Sequence, residues 1–545
     1  METQQTKKDL VADWESLQRI FIRPEDDASR ETLIKYMEQI LFGLHDFLNK
    51  NVGITEAISL KALTDLYKET VINPHPEKKL ADVISDIIEG IAPRAVNVAS
   101  PYFVGHMTAA IPFFMVHLKA IVAALNQNVI KLETSKVLSV LERQVLAKIH
   151  RLIYKNTEVF YQTHVQSTDT TLGSFTTGGT TANLTALWVA RNLLLKPFDG
   201  FDGVESQGIA GALNAYSLDR AVILASPRGH FSLKKAGGIL GIGHNNVIPV
   251  DVDAQHRLNA LTLNQTVIDL KKNGRTGILA VVGIAGATET GIVDPLDDIA
   301  NVCEDNGLHF HVDAAWGGPV MLSERYAHKL KGIERGDSVS IDGHKQFFMP
   351  MTCGMVYFRD PLAMDAIAYH ANYVNREGSV DLGIKTLEGS REANSLILDS
   401  SLKIMGTRGY GLMVDHGIET AQCFSQAIHA RELFEIVTEP ELNILTYRIL
   451  PPKIKARMIL ASPMERKKLE DGVDQLNIMA QREQREAGKS FVSRTRIRRE
   501  PGDMEGQVVL RAVIMNPMTD MDILNEVLDE QEEIAKKILQ SPDLF

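Results

Sequence analysis

Between Gly173 and Asp360 the chain is built from short, mostly apolar runs separated by helical patterns: AVILAS (221–226), GILAVVGI (277–284), LHFHVDAA (308–315), SVSID (338–342) and GMVYF (354–358). Strands that are apolar throughout, rather than at every second residue, are covered on both faces. With helices between them, these runs predict an α/β domain whose mostly parallel sheet lies between helical layers.

Ligands of open α/β sheets sit beyond the carboxyl ends of the strands, and the polar residues of this chain gather there. AVILAS leads into Pro227, Arg228, Gly229 and His230. GILAVVGIAGA leads into Thr288, LHFHV into Asp313 and Ala315, and SVSID into Asp342, Gly343, His344 and Lys345. One ligand touching all four strand ends accounts for the set.

The residue types say what that ligand is. In SFTTGGTTANLTALWVARNLL (174–194), Gly178, Gly179 and Thr180 open a helix, and the free N–H groups of a helix start favour an anion such as phosphate. An ordinary capped helix after a glycine turn reads the same way, and the absence of a following GK[ST] excludes a Walker loop. Asp313 ends an apolar strand, where an acid is costly unless paired. The alanines after it leave room for a flat ring whose protonated nitrogen a carboxylate would stabilise; a local backbone partner is the alternative. His230 either stacks on that ring or caps its turn. Lys345 lies between a strand and QFFMPM, where burial prepares an amine to bond an aldehyde. Phosphate, ring nitrogen and aldehyde together describe pyridoxal 5'-phosphate, whose protonated ring is an electron sink.

Outside this region the first hundred residues have amphipathic helical spacing, as in ETLIKYMEQILFGLHDFLNK. Beyond about 400 the chain is helical again. It then gives short strands in RELFEIVTEPELNILTYRIL and VVLRAVIMNP, and a closing helix in DMDILNEVLDEQEEIAKKIL. The expected division is a helical arm at 1–95, a large domain at 96–400 and a small α+β domain at 401–545. A formal net charge of −11 argues against a nucleic-acid or anionic-membrane surface. Three scattered cysteines, Cys303, Cys353 and Cys423, make neither a disulfide framework nor a metal site. With an N-terminus that lacks a signal-peptide core, they point to the cytoplasm.

The motifs TTGGTTANLTAL, SPRGHFSLKKAG, GIAGATETGIVDPLDDIA, HVDAAWGG and SIDGHKQ occur in this order. Together they resemble the group II pyridoxal-phosphate-dependent amino-acid decarboxylases, which include glutamate and aromatic amino-acid decarboxylases. The resemblance extends to SPYFVGHM, LEGSREANSLILDSSLKIMG and VVLRAVIMNP, most of the chain from about 95. More narrowly, GATETGIVDP and SIDGHKQFFMPMTCGM look like the bacterial pyridoxal-dependent aspartate 1-decarboxylases.

That resemblance implies the aspartate-aminotransferase-like fold (fold type I), as a homodimer with active sites at the interface and the arm as a clasp. It implies Lys345, His230 and Asp313 as catalytic residues: the lysine holding the cofactor, the histidine stacking on its ring, the acid meeting its nitrogen. Gly178, Gly179, Thr180 and His344 would hold the phosphate, while Thr288 and Ala315 line the ring and Asp342 stands where many relatives have Asn. Tyr102, Phe103 and His106 match the substrate entrance, and Arg391 matches an arginine near the site. Several relatives carry a proton-donating loop tyrosine. The corresponding NREGSVDLGIKTLEG (375–389) has none, and Tyr373 just before it is either strand core or a substitute.

The function implied is decarboxylation of an acidic amino acid, L-aspartate to β-alanine, supplying pantothenate and coenzyme A synthesis. Glutamate giving γ-aminobutyrate is the alternative, and a transaminase or lyase would keep the same cofactor set. A nicotinamide dehydrogenase is disfavoured because GGILGIG (237–243) has the wrong order for GxGxxG.

Overall fold

The computed structural model describes residues 27–50, 55, 58–370, 381–498, 506–540 and 545. Its larger sheet contains β1 (Gly173–Thr176), β2 (Arg220–Ala225), β3 (Val247–Pro249), β4 (Thr276–Ile284), β5 (Phe310–Asp313), β6 (Ser338–Asp342) and β7 (Gly354–Phe358). Their spatial order is β1-β7-β6-β5-β4-β2-β3. The pairs from β3 to β6 are parallel, and β7 is antiparallel to both β6 and β1.

Both faces of this sheet are covered, as its apolar strands require. The helices that matter here are α1 (Val137–Tyr154), α2 (Gly179–Leu194), α3 (Ser232–Ile239), α4 (Asn394–His429), α5 (Pro463–Ala487) and α6 (Met521–Ile538). Along β2, Val222 and Leu224 join a core with Val145, Ile149 and Ile153 of α1 and Ile397 of α4. The alternate residues Ala221, Ile223 and Ala225 pack instead on Leu184 and Leu187 of α2 and Leu233 of α3. The two-residue period of the strand therefore feeds two apolar layers from one unbroken run.

A second, antiparallel sheet has the order β10-β11-β9-β8, from β8 (Phe434–Thr438), β9 (Ile444–Ile449), β10 (Ser493–Ile497) and β11 (Gln507–Val513). Leu445, Tyr447, Leu510 and Ala512 of this sheet pack on Leu476 of α5 and on Leu524 and Val527 of α6. Residues 102–104 run beside it: Phe491 N–H donates to Tyr102 O, Val104 N–H to Phe491 O and Val513 N–H to Val104 O. Helix α4 runs through position 400, where a domain seam is expected from the sequence, and leaves helical geometry at Gly406 (φ 64°, ψ 175°).

Near the start, helices Asp27–Lys50, Leu60–Leu66 and Leu80–Asp86 occupy the region expected to be helical. No described helix is long and apolar enough to cross a membrane.

Candidate active site

Parallel pairing brings the ends of β4, β5 and β6 level, with Ile284 opposite Asp313 and Asp313 opposite Ser340. A cavity of about 400 Å³ opens at this edge. Every residue singled out from the sequence as a cofactor contact lines it: Gly178, Gly179, Thr180, His230, Thr288, Asp313, Ala315, Asp342, His344 and Lys345.

The glycine turn reaches the cavity from the antiparallel side, because β1 pairs with β7 and sets Thr176 opposite Gly354. The approach is close. A Cβ on Gly354 would stand 2.5 Å from the Gly178 carbonyl carbon, and one on Gly179 would stand 2.8 Å from Asp342 Oδ2. Helix α2 begins at Gly179, so the N–H groups of its first turn have no acceptor within the helix and face an anion favourably. His344 lies against this turn, its Nδ1 2.6 Å from Cys353 O.

Deeper in the cavity, Asp313 is almost fully buried. It accepts from Asn183 Nδ2 at 2.8 Å and from the Ala315 N–H at 3.2 Å. Lys345 Nζ is 2.9 Å from Asp342 Oδ2, while Asp342 Oδ1 is buried without a partner. The Ser232 N–H lies 3.2 Å from His230 Nδ1, so this nitrogen is the acceptor and Nε2 carries the proton. Burial lowers the His230 pKa despite the nearby Asp313 carboxylate, which keeps the ring neutral and free to stack.

These residues fit pyridoxal phosphate. The chain supplies an amine, a buried carboxylate, an anion-favouring helix start and a cradle that a side chain at Gly179 would fill. The orphaned Asp342 oxygen adds an acceptor that gains from a donor on a ligand, since leaving it unmet costs about 1–3 kcal/mol.

The expected substrate contacts divide. His106 lines the cavity with its Nδ1 3.2 Å from Thr108 Oγ1, and burial, with Arg511 and Lys345 nearby, lowers its pKa. Tyr102 and Phe103 do not line it: Tyr102 OH donates to Glu526 at 2.8 Å, and Phe103 stacks on Phe491 at 5.2 Å. Strand-like pairing with the small sheet turns both toward that layer. Arg391 is likewise removed from the cavity, because both guanidinium arms are taken by Glu142. Tyr373 lies outside the described residues.

Arg511 and Asn183 are among the cavity residues not singled out from the sequence. Arg511, inside β11, donates from Nη1 to Gly105 O and to Ser493 Oγ, both at 3.2 Å, and its Nε is buried without a partner. Among the described residues no carboxylate forms an ion pair with it, and burial brings its pKa down to about 10. The signal was there: Arg511 is the one charged residue in the apolar run VVLRAVIM. Asn183, in the first turns of α2, also reaches the wall; an amide among Ala182, Leu184 and Ala186 was the corresponding cue.

Comparison with known proteins agrees with this geometry. The family model for the pyridoxal-dependent decarboxylase conserved domain matches residues 64–450. The chain is 44% identical over 531 residues to an aspartate 1-decarboxylase of Aliivibrio fischeri, covering 97% of this chain and 96% of that protein. It is 24% identical over 523 residues to an L-2,4-diaminobutyrate decarboxylase of Rhizobium meliloti, covering 94% of each. Among solved structures, the glutamate decarboxylase domain of a Vibrio parahaemolyticus diaminobutyrate-pyruvate transaminase and L-2,4-diaminobutyrate decarboxylase superposes with a TM-score of 0.80 at 23% identity, over 96% of this chain and 100% of that one.

Proposed function

The chain belongs to the pyridoxal-dependent decarboxylase family, and from that premise we propose that it removes the α-carboxylate of L-aspartate, releasing CO2 and β-alanine. The observation that carries an acidic substrate is Arg511, a buried cation in the wall of the Lys345 cavity that makes no direct ion pair among the described residues, Glu289 acting on it only from a distance. The choice of aspartate within that class is supported by the near-full-length likeness to the Aliivibrio enzyme. A 2,4-diaminobutyrate substrate would bring a second ammonium to Arg511, which like charge opposes.

When bound, pyridoxal phosphate supplies an electron sink for the pair left behind as the carboxylate departs. On this reading Lys345 holds the cofactor's aldehyde carbon and Asp313 its ring nitrogen. The start of α2, with Thr180 and His344, holds the phosphate, and His230 and Ala315 bound the ring. Asp342, 2.9 Å from Lys345 Nζ, accepts a hydrogen bond from the lysine when the amine is free. Arg511 takes the side-chain carboxylate by charge-assisted hydrogen bonds, which leaves the α-carboxylate as the group free to be oriented for cleavage. His106 stands on the same wall, where its lowered pKa favours the neutral ring, which can hydrogen-bond the substrate.

A homodimer is part of the proposal. Phe42, Phe113 and Val137 are strongly exposed apolar residues and are the candidates for its contact face. The same reading makes 1–95 a dimer arm, 96–400 the cofactor-binding domain, 401–545 a small domain that brings Arg511, and the cytoplasm the compartment.

The test is to incubate the protein and pyridoxal phosphate with aspartate, glutamate, cysteine sulfinate, 2,4-diaminobutyrate or tyrosine, and to measure CO2 and amine. β-Alanine from aspartate is expected. γ-Aminobutyrate alone, from glutamate, would overturn the aspartate assignment and leave the class.

A further inference from the structure

Behind Asp313 the sheet carries a second row of polar side chains that the mechanism above does not use. His309, His311 and Asp313 recur at every second residue, and Ser338 and Ser340 do the same on β6. Parallel pairing sets His311 opposite Ser338 and Asp313 opposite Ser340, so alternation puts all of them on one face. Asn183 of α2 lies over that face: its Nδ2 is 2.8 Å from Asp313 Oδ2, and its Oδ1 is 3.0 Å from His311 Nε2 and 2.6 Å from Ser340 Oγ.

The charge of Asp313 dictates where every hydrogen in this row sits. A carboxylate only accepts, so Asn183 must turn its amide N–H toward it and its carbonyl oxygen away. That oxygen then needs donors, which makes His311 the Nε2–H tautomer and aims the Ser340 hydroxyl at Asn183. His311 Nδ1 is left an acceptor, and Ser338 Oγ at 2.9 Å donates to it. The Ser338 oxygen, its hydrogen used, accepts from His309 Nε2 at 2.9 Å. Each donor points toward Asp313, and linked hydrogen bonds of one direction strengthen each other in a low-dielectric interior.

We propose that Asn183, His311 and Ser340 are positioning residues that lock the Asp313 carboxylate in the orientation and charge state in which it keeps the cofactor's ring nitrogen protonated. This rests on the reading of Asp313 given above. Burial, which pushes the His311 pKa down to about 4, keeps the imidazole in the neutral form that the row requires.

The test uses the cofactor-loaded protein and two readouts besides turnover: the dissociation constant for pyridoxal phosphate, and the pH midpoint at which the bound cofactor's absorbance changes. With its nitrogen less protonated, the ring withdraws less charge from the lysine nitrogen, which then keeps its proton to higher pH. Asn183→Ala and His311→Leu should therefore raise the midpoint, in the direction Asp313→Asn moves it but less far. Asn183→Ala should also weaken cofactor binding by about tenfold to a hundredfold, the range for one hydrogen bond to a charged group, and His311→Leu, which removes a neutral hydrogen bond, by about threefold to tenfold. His311→Gln, which retains an N–H near the Nε2 position, should stay within about threefold of the parent.

If either larger change prevents folding, Ser340→Ala removes one hydroxyl and is read the same way. Folded variants with parental affinity and midpoint, beside an Asp313→Asn protein whose midpoint has moved, would overturn the proposal. An unmoved midpoint in Asp313→Asn would instead overturn the reading of Asp313 itself.

Discussion

Arg391 and Glu142 form a two-pronged ion pair, Nη1 to Oε2 at 2.7 Å and Nη2 to Oε1 at 2.6 Å, with both side chains buried. Removing one partner leaves a buried charge unmet, so Arg391→Ala should cost about 3–5 kcal/mol of stability, and a paired Arg391→Leu, Glu142→Leu protein should recover much of it. Urea unfolding at fixed protein concentration measures both. The KM for aspartate should stay unchanged in the folded double variant. A large rise there would put Arg391 back on the substrate.

Arg511 should behave in the opposite way. Its guanidinium already serves Gly105 O and Ser493 Oγ, and its remaining donors are proposed to meet the substrate. Arg511→Ala should lower kcat/KM for aspartate by about tenfold to a hundredfold, the loss of one charged hydrogen bond. Arg511→Lys should recover little, since a point charge does not replace the planar fork. Steady-state kinetics on aspartate decides this, and parental kinetics in Arg511→Ala would remove the arginine from substrate recognition.

Lys345→Ala should reduce turnover by on the order of a thousandfold or more, because the group assigned to hold the cofactor is gone. Borohydride treatment of the parent protein should leave a pyridoxyl group on the peptide containing Lys345, found by mass spectrometry, and none in the variant. A labelled peptide elsewhere would assign the bond to another lysine.

What the sequence made legible follows from burial. β2, β4 and β7 are each covered on both faces, and their largely apolar runs announce them, while β5 and β6 alternate apolar residues with the buried polar ones that face α2. The charged β10, SRTRI, is an edge strand, where exposed side chains are tolerated and the apolar signal is lost. The proposed preference for Arg511 over Arg391 was hidden for a different reason. Glu142, which takes up Arg391, lies 249 residues away in the chain, and nothing local in GSREAN records that the guanidinium is already paired. That Tyr102 and Phe103 fall outside the cavity lining has the same cause, because the segment pairs with Phe491, just ahead of β10.

His150 on α1 makes stability depend on pH without touching the site. Its ring is fully buried, with Nδ1 and Nε2 each 3.0 Å from Tyr161 OH and Phe358 O respectively. The Phe358 carbonyl takes the Nε2–H, and burial, outweighing that bond, brings the pKa from 6.5 down to about 4, which keeps the ring neutral. Between those values the unfolded chain binds a proton that the folded chain refuses. Its contribution is therefore complete above the unfolded value and is lost as the pH falls through the folded one. From about pH 7 to about pH 5 the loss is about 2 kcal/mol. His311, also held down to about 4, acts in the same direction. Denaturant midpoints at the two pH values should differ accordingly in the parent, and His150→Gln, which cannot take up the proton in either state, should flatten the difference. An equal slope in parent and variant would mean that the acid sensitivity lies elsewhere.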